Sequence, residues 1–379
     1  SADANIRFKG GWAPQLESGL KVFCMSRPLL EHHVRARVLA LPNVKLLDNR
    51  DVLELLTDAS GEAITGVHLQ TRGNHYTEFL EADLVVDASG RASKLPDWLA
   101  RIGYPQPQET SVQAYVGYAT RWYEIPADFK GGWQAMWIQS VWPTIPRGGL
   151  ILPVEGNRWQ VTLFGTAKDY PPTNEEAFLD YARSLASPRL YNAIKDATPI
   201  SPIHGFRNTV NRMRHYEKLD RFPDRLLALG DAFMALNPTY AQGMTAASLS
   251  AEALETCLRE QRGRLNGLGR KFQRRAAKAL APAWTLTTTE DVRWDTTDGG
   301  ARGPLVRFLH WYTDKIMTLA PQDEAVFRAF LPVQHMLKPP TSLFAPAIAR
   351  KVFACALRRA PMAAPITTTQ EVQAIGVGD

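Results

Sequence analysis

Changes in hydrophobic period divide the first part of the chain into a helix followed by strands. Ser26 is a suitable helix N-cap and Pro42 a helix stop, and the apolar residues between them recur at helical spacing. These residues are Leu29, Leu30, Val34, Val38 and Leu41. From residue 44 to residue 80 the period is two, with turn residues at 60–61 and 73–74, which predicts an antiparallel meander. Residues 83–87 then predict a short buried strand.

A second set of strand patterns predicts a separate sheet. Its members are residues 111–121, 133–140, 149–155, 158–165 and 203–207, and the third and fourth would form a hairpin around Glu155-Gly156-Asn157. Residues 174–186 form an amphipathic pattern, which predicts a helix capped by Thr173. Further helices are predicted at 245–258, 305–319, 324–337 and 345–359. The polar end from Pro361 is expected to be disordered.

The most informative stretch runs from Leu226 to Met244 and reads LLALGDAFMALNPTYAQGM. An apolar run typical of a buried parallel strand ends at Gly230 and Asp231, and a turn at Asn237-Pro238 precedes Gln242-Gly243-Met244 at the start of a helix. A strand, a carboxylate at its C-terminal end, a glycine-containing loop and a helix are the parts with which α/β folds hold nucleotides.

A similar loop follows the earlier buried strand and reads Asp87-Ala88-Ser89-Gly90-Arg91. Gly90 allows close backbone approach to a ligand, and Asp87 and Arg91 supply a carboxylate and a guanidinium at a strand end. Alone, this loop could equally be an ordinary turn with a surface ion pair. Arg27, at the start of the first helix, is a third candidate; alone, it could be an exposed first-turn arginine.

These three segments, in this order, resemble class A FAD-dependent monooxygenases, the p-hydroxybenzoate hydroxylase-like flavoproteins. The resemblance runs from about Gly19 to Leu258 and implies an α/β fold: a Rossmann-like FAD/NAD(P)-binding domain with an inserted mixed β-sheet substrate domain and a helical C-terminus. It implies FAD and NAD(P)H as cofactors, and ten contact positions. The cofactor-binding residues would be Arg27, Asp87, Gly90, Arg91, Gly230, Asp231, Pro238, Gln242, Gly243 and Met244.

Within that set the resemblance implies different roles. Arg27 would approach the FAD phosphates, and Asp87 and Arg91 would serve the pyrophosphate and the hydride donor. Asp231 would hold ribityl or ribose hydroxyls. Pro238 and the amides around Gly243-Met244 would lie beside the isoalloxazine ring, where a helix N-terminus favours negative charge.

The resemblance also suggests domain boundaries. These are 1–107 and 208–262 for the two parts of the FAD-binding domain, 108–207 for the substrate sheet, 263–360 for a helical region and 361–379 for a tail. No GxGxxG motif, which would seat the ADP half of FAD, occurs near a first strand. We therefore expect the FAD-binding domain to be N-terminally incomplete, the chain to be truncated and its FAD affinity to be weakened.

Composition narrows the class of protein further. Hydrophobic residues make up 45% and charged residues 22% of the 379, as in soluble globular proteins. Lys and Arg exceed Asp and Glu by 44 − 38 = 6, but no aromatic-interleaved basic motif is present, so nucleic acid is not predicted as a partner. Three well-separated cysteines predict a reducing, cytoplasmic setting, and no apolar run is long enough to span a membrane.

The residues leave several functions open. No catalytic side-chain group and no metal site stands out, as expected where a cofactor performs the difficult step. The leading hypothesis is a monooxygenase acting on an apolar aromatic or olefinic small molecule. A flavin-dependent reductase similar to geranylgeranyl reductase and a non-catalytic remnant are the alternatives. The cationic amphipathic helix at 345–359 would pack on the protein or contact a membrane surface; the sequence indicates no oligomeric state.

Overall fold

The computed structural model describes residues 3–357, and the predicted tail at 361–379 lies outside them. Strands and helices in this part of the chain are short and numerous. The strands are β1 Ala4–Phe8, β2 Gly11–Trp12, β3 Arg50–Thr57, β4 Ile64–Thr71, β5 Thr77–Glu81, β6 Val85–Asp87, β7 Glu109–Val112, β8 Gly117–Glu124, β9 Ala135–Ile138, β10 Arg147–Val154, β11 Arg158–Gly165, β12 His204–Phe206, β13 Asn211–Arg214, β14 Leu226–Ala228 and β15 Met234–Ala235. The α-helices are α1 Arg27–Leu39, α2 Leu95–Arg101, α3 Glu175–Arg183, α4 Arg189–Ile194, α5 Gly243–Glu260, α6 Leu268–Asp291, α7 Pro304–Leu319, α8 Glu324–Gln334 and α9 Pro346–Leu357.

The largest sheet has seven strands in the order β12-β8-β11-β10-β9-β1-β2. Its neighbours are antiparallel except β1 and β9, which run parallel with Ile6 opposite Trp137. The predicted hairpin is confirmed as β10 and β11, joined by a turn in which Gly156 and Asn157 have φ of 77° and 55°. This sheet therefore carries the predicted substrate-domain strands, together with one N-terminal strand pair.

The strands around the two candidate loops form smaller sheets. β6 and β14 are a parallel pair in which Ala228 lies opposite Asp87. The predicted meander is confirmed as the antiparallel sheet β3-β4-β5. β7, β13 and β15 form a third antiparallel sheet that connects the parallel pair with the large sheet. Because parallel strands end at the same edge, the loops after β6 and β14 are brought together.

Helices cover both faces of the large sheet. Met136 and Ile138 of β9 pack into a hydrophobic cluster with α3 and α4. Phe8 of β1 packs with α7, α8 and α9. Since side chains alternate between faces along a strand, Trp137 projects to the side of the C-terminal helices. A third cluster joins α2, α5 and α6 around Leu226 and Leu227 of β14.

Two boundary predictions need correction. Residues 111–121 are not one strand: the chain leaves one sheet after Val112 and enters another at Gly117, and Tyr115 between them has a left-handed φ of 52°. The cap of α3 is Asn174, whose side chain accepts a hydrogen bond from the Ala177 amide, rather than Thr173. Within the predicted helical region at 263–360, α6 packs in the same core as β14.

The N-terminal residues also depart from the expected domain division. β1 lies in the large sheet, although residues 1–107 were assigned to the FAD-binding domain. The predicted helix α1 is present and capped by Ser26, but its apolar stripe is not packed: none of its residues is buried, and Val34 and Val38 are exposed. Within the described residues, none of the helices is both long and apolar enough to cross a bilayer.

Candidate functional site

The loops after β6 and β14 lie side by side. The amide of Leu229 donates a hydrogen bond of 2.9 Å to the carbonyl oxygen of Asp87, which fixes one loop against the other. Each loop then makes a short 3₁₀ turn that starts at a glycine with positive φ, 77° at Gly90 and 61° at Gly230. These glycines let both chains bend sharply at the sheet edge.

The Asp87 carboxylate is buried and used within its own loop. It accepts hydrogen bonds from the Ser89 amide at 3.0 Å, from the Ser89 hydroxyl and from the Ser93 hydroxyl. All three donors belong to the residues that follow β6. Asp87 therefore shapes the loop from inside, and the side chain that this loop presents to Asp231 is Arg91.

Arg91 joins the two loops. Its guanidinium Nη1 donates to the carbonyl oxygen of Val210 at 2.7 Å, Nη2 donates to that of Leu236, and Nε lies 3.5 Å from Asp231 Oδ2. Burial lowers the pKa of Arg91 and raises that of Asp231. Two candidate residues from separate sequence motifs thus meet as a half-buried ion pair.

Asp231 lies in the field of three arginines. Arg91, Arg212 and Arg27 all act to lower its pKa against the raising effect of burial. Arg212 donates to the carbonyl oxygen of Arg91. Arg27, at the start of α1, is exposed and also pairs with Glu31 at 2.6 Å. Three guanidinium groups against the carboxylates of Asp231 and Glu31 leave an excess of positive charge, which favours an anionic ligand such as a phosphate.

The third candidate segment forms the approach to α5. Pro238–Tyr240 is a 3₁₀ turn, Ala241 has a left-handed φ of 54°, and α5 begins at Gly243. A methyl group at Gly243 would meet open space, and the Met244 side chain is 54% exposed. The first amides of a helix lack intrahelical partners, so this N-terminus is an accessible cluster of donors.

Gln242, immediately before α5, has an unusual environment. Its side chain is 3% exposed, and its Oε1 accepts no hydrogen bond from the residues described. Buried acceptors without a partner are rare because they lose their hydrogen bonds to water. An acceptor of this kind beside an open helix N-terminus fits a ligand that carries a hydrogen-bond donor.

A buried carboxylate that the sequence did not single out holds this approach in place. Asp291, the last residue of α6, accepts hydrogen bonds from Asn211 Nδ2 at 2.6 Å, Asn237 Nδ2 at 3.1 Å and the Tyr240 hydroxyl at 2.7 Å. Burial raises its pKa to about 6. The Tyr118 hydroxyl contacts the Thr239 hydroxyl at 2.6 Å from the large sheet. The Asn237–Tyr240 turn is thus fixed by three different elements.

A cavity of about 590 Å³ opens on this turn; we call it the first cavity. Thr239 and Tyr240 form part of its wall, and Asp291 lies at the same side. The remaining wall comes from the large sheet and the C-terminal helices and is mainly apolar. Its apolar members include Val116, Trp137, Trp142, Phe164, Leu286, Trp294, Met317, Phe330 and Leu343. A cavity of this size suits a small organic molecule.

Solved structures share this architecture. p-Nitrophenol 4-monooxygenase PnpA from Pseudomonas putida DLL-E4 superposes with a TM-score of 0.59 at 17% identity, covering 89% of this chain and 81% of PnpA. The flavin-dependent brominase Bmp2 superposes with a TM-score of 0.57 at 12% identity, covering 88% of this chain and 82% of Bmp2. The chain has the fold of FAD-dependent monooxygenases and halogenases. This fold confirms the predicted α/β class.

Sequence comparison adds one relative. Protein Rv3254 from Mycobacterium tuberculosis is 33% identical over 289 residues, which is 74% of this chain and 60% of that protein. The chain therefore spans about three fifths of this relative's length. No protein-family model matches the chain.

The residues of this fold fit part of an FAD molecule. The accessible α5 N-terminus, the unpartnered Gln242 Oε1 and the arginines around Asp231 suit the ring, ribityl and phosphate portions. For the adenosine portion, the parallel sheet within residues 3–357 consists of β6 and β14 alone, without a preceding strand-loop-helix unit. The fit is thus to the flavin half of the cofactor.

Proposed function

We propose that the protein is an FAD-dependent monooxygenase that uses NAD(P)H and O2 to oxygenate an apolar aromatic or olefinic small molecule. The observation that carries the proposal is the shared turn: Thr239 and Tyr240 line the first cavity, and α5 begins three residues later at Gly243. A molecule in the first cavity would therefore lie next to a flavin ring seated at the α5 N-terminus.

Each group at this site has a task that its position supports. Bound flavin supplies the redox chemistry and the activation of O2. The α5 N-terminus stabilises negative charge on the ring through its free amides. Arg91 and Arg27 hold phosphate oxygens, and Asp231 accepts from ribityl hydroxyls. The apolar first cavity orients the substrate and limits the access of water.

The proposal also covers the reductant, the cellular location and the contact of α9 with a membrane surface. The monooxygenase fold supports NAD(P)H as the reductant. A cytoplasmic location agrees with Cys24, Cys257 and Cys355 being free thiols. Ile348 and Val352 of α9 are buried among the C-terminal helices, so the contact with a membrane surface that α9 could make would depend on exposed side chains such as Phe353 and Leu357.

Flavin retention is the first test. The purified chain is mixed with FAD, desalted and examined for flavin absorbance. The decisive variant is Gly243→Val, because the added side chain enters open space in the protein alone but occupies the place proposed for the ring. Gly303→Val is the matched control, since Gly303 also lies at a helix N-terminus, immediately before α7, and faces open space. We expect Gly243→Val to weaken flavin affinity at least about tenfold, equivalent to about 1.4 kcal/mol.

The thermal midpoints of both variants should stay close to that of the wild type. If Gly243→Val binds flavin as tightly as Gly303→Val does, the α5 N-terminus is not the ring site and the proposal fails.

Turnover tests the reaction itself. NAD(P)H-driven O2 uptake that depends on an apolar phenol, with an oxygen atom from ¹⁸O2 in the product, is the expected result. A saturated product formed without O2 would indicate the reductase-type reaction instead. Reactions with and without bromide test the activity named for the neighbour Bmp2. A brominated product would show that the reaction of this protein is bromination and not oxygenation.

A further inference from the structure

A second cavity, of about 950 Å³, adjoins the first. It lies between the N-terminal strand β1, strands β9 and β10, the segment at residues 18–25 and helix α8. Its wall includes buried apolar side chains from three of these elements, namely Phe8, Val154 and Leu331. Val22 and Phe23 also line it and are strongly exposed, so the cavity has an apolar edge at the surface.

The two cavities share a boundary. Trp137, Phe330 and Gln334 line both of them. Along β9 and the residues after it, Ala135 lines the second cavity and Val141 the first. The parallel strand β1 and the residue after it follow the same order, because Ile6 lines the second cavity and Lys9 lines the first. The cavities therefore follow one another along the strands.

Their combined length exceeds that of a single aromatic ring. The six steps along the chain from Ala135 to Val141 span at most roughly 20 Å when extended. An occupant that reached both cavities would be long and narrow.

Four charged side chains in the wall of the first cavity compensate one another. Lys9 Nζ lies 3.0 Å from Asp314 Oδ2, and Arg293 Nη1 lies 2.8 Å from Asp314 Oδ1. Arg293 also pairs with Glu290 at 2.5 Å. The Trp137 indole N–H is buried and has no acceptor among the described residues. Compensated charges and apolar walls favour an uncharged occupant.

We infer that the two cavities together take one extended substrate, an aromatic head in the first cavity and a long aliphatic tail that passes Trp137 into the second. The position of the head rests on the proposed function, because it places the reacting carbon beside the α5 N-terminus. The tail site rests on the cavities alone. Burial of each methylene in an apolar site strengthens binding by roughly fourfold.

The test compares 4-ethylphenol and 4-dodecylphenol by isothermal titration calorimetry on the purified chain. We expect the wild type to bind 4-dodecylphenol at least about 100-fold more tightly. Ala135→Phe places a ring in the second cavity, because residue 135 projects to the same side of β9 as Trp137. In this variant the ratio of the affinity for 4-dodecylphenol to the affinity for 4-ethylphenol should fall at least about tenfold. The affinity for 4-ethylphenol itself should stay within about twofold of the wild-type value.

Two further variants make the result decisive. Ala100→Phe adds the same ring to an exposed position of α2 and should leave the ratio unchanged. Leu152→Trp, which fills the second cavity from β10, gives the same prediction as Ala135→Phe if that variant does not fold. The inference would be overturned if the ratio were unchanged in whichever of Ala135→Phe and Leu152→Trp folds. It would also be overturned by a wild-type ratio below about ten.

The binding test separates this inference from the proposed function. If the ratio responds to Ala135→Phe but no phenol supports O2 uptake, the extended site stands and the oxygenase proposal fails. If short phenols are oxygenated but the ratio does not respond, the oxygenase proposal stands and the extended site fails.

Discussion

Replacing Asp291 tests how the turn before α5 is held. Asp291 is 2% exposed, and its two oxygens accept from Asn211, Asn237 and Tyr240. In Asp291→Ala, both amides and the hydroxyl lose their acceptor. The two asparagines are themselves buried, so water replaces the lost carboxylate poorly. Each buried donor left without a partner costs about 1–3 kcal/mol.

The three donors together give an expected loss of about 3–5 kcal/mol in the free energy of unfolding. This figure takes the lower end for each donor, because Tyr240 borders the first cavity and can regain a hydrogen bond to water. A loss of this size is a large fraction of the stability of an ordinary domain. Asp291→Asn keeps the shape and one acceptor oxygen, so we expect a smaller loss of about 1–3 kcal/mol.

The pH dependence gives a sharper signature. Burial raises the pKa of Asp291 to about 6 from an ordinary value of 3.8. Between these values the folded protein holds a proton that the unfolded chain has released, so ionisation on raising the pH destabilises the fold. Two pKa units correspond to roughly 3 kcal/mol. The titratable groups that interact with Asp291 are Tyr240, Tyr118 and Glu290.

Asp291→Asn removes this ionisation and leaves the other titrating groups in place. The stability difference between wild type and variant should therefore be largest near pH 4 and shrink by roughly 3 kcal/mol towards pH 7. Chemical denaturation at several pH values measures this difference. Asp295→Asn, at an exposed position four residues further on, is the control and should show no such trend. A pH-independent difference for Asp291→Asn would refute the assigned pKa direction.

Two further predictions concern the cofactor. The affinity of the chain for FMN should lie within about threefold of its affinity for FAD, since residues 3–357 contain no adenosine-binding strand-loop-helix unit. A fluorescence titration measures both affinities, and a preference for FAD above about 30-fold would contradict the prediction. Arg91→Gln should weaken flavin affinity about tenfold, because a charged hydrogen bond contributes about 1.5–3 kcal/mol. Arg72→Gln, which removes an exposed arginine paired with Asp51, is its control, and equal affinities in the two variants would exclude Arg91 from the phosphate site.

The elements that carry the candidate loops could be predicted from the sequence because their signals are local. An apolar run followed by a carboxylate and a glycine marks both Asp87 and Asp231, and the structure places both at one sheet edge. The pairing of Arg91 with Asp231 follows from this geometry. The internal use of Asp87 does not, because it depends on the rotamers of Ser89 and Ser93.

Residues that act across long sequence separations were missed. Asp291 ends a helix after three threonines and a glutamate, a pattern typical of a solvated helix end. Its role arises from Asn237, 54 positions earlier. Arg212 was also missed, because it lies in β13, whose pairing with β7 becomes apparent only in three dimensions. The Asn237-Pro238 turn itself was predicted from its residue types, but its sequence does not show that Asp291 supports it.

The polar network under the turn is itself an argument for a functional site. An apolar cluster of the same volume would avoid the cost of removing one carboxylate and two amides from water, and exchanges of this kind often stabilise proteins. The network instead fixes the orientation of the turn. Asp291 from α6, Asn211 from β13 and Tyr118 from β8 each hold a different atom of it. The position of this turn determines both part of the wall of the first cavity and the point at which α5 begins. Holding a substrate and a cofactor in a fixed mutual geometry requires this kind of rigid support from neighbouring elements.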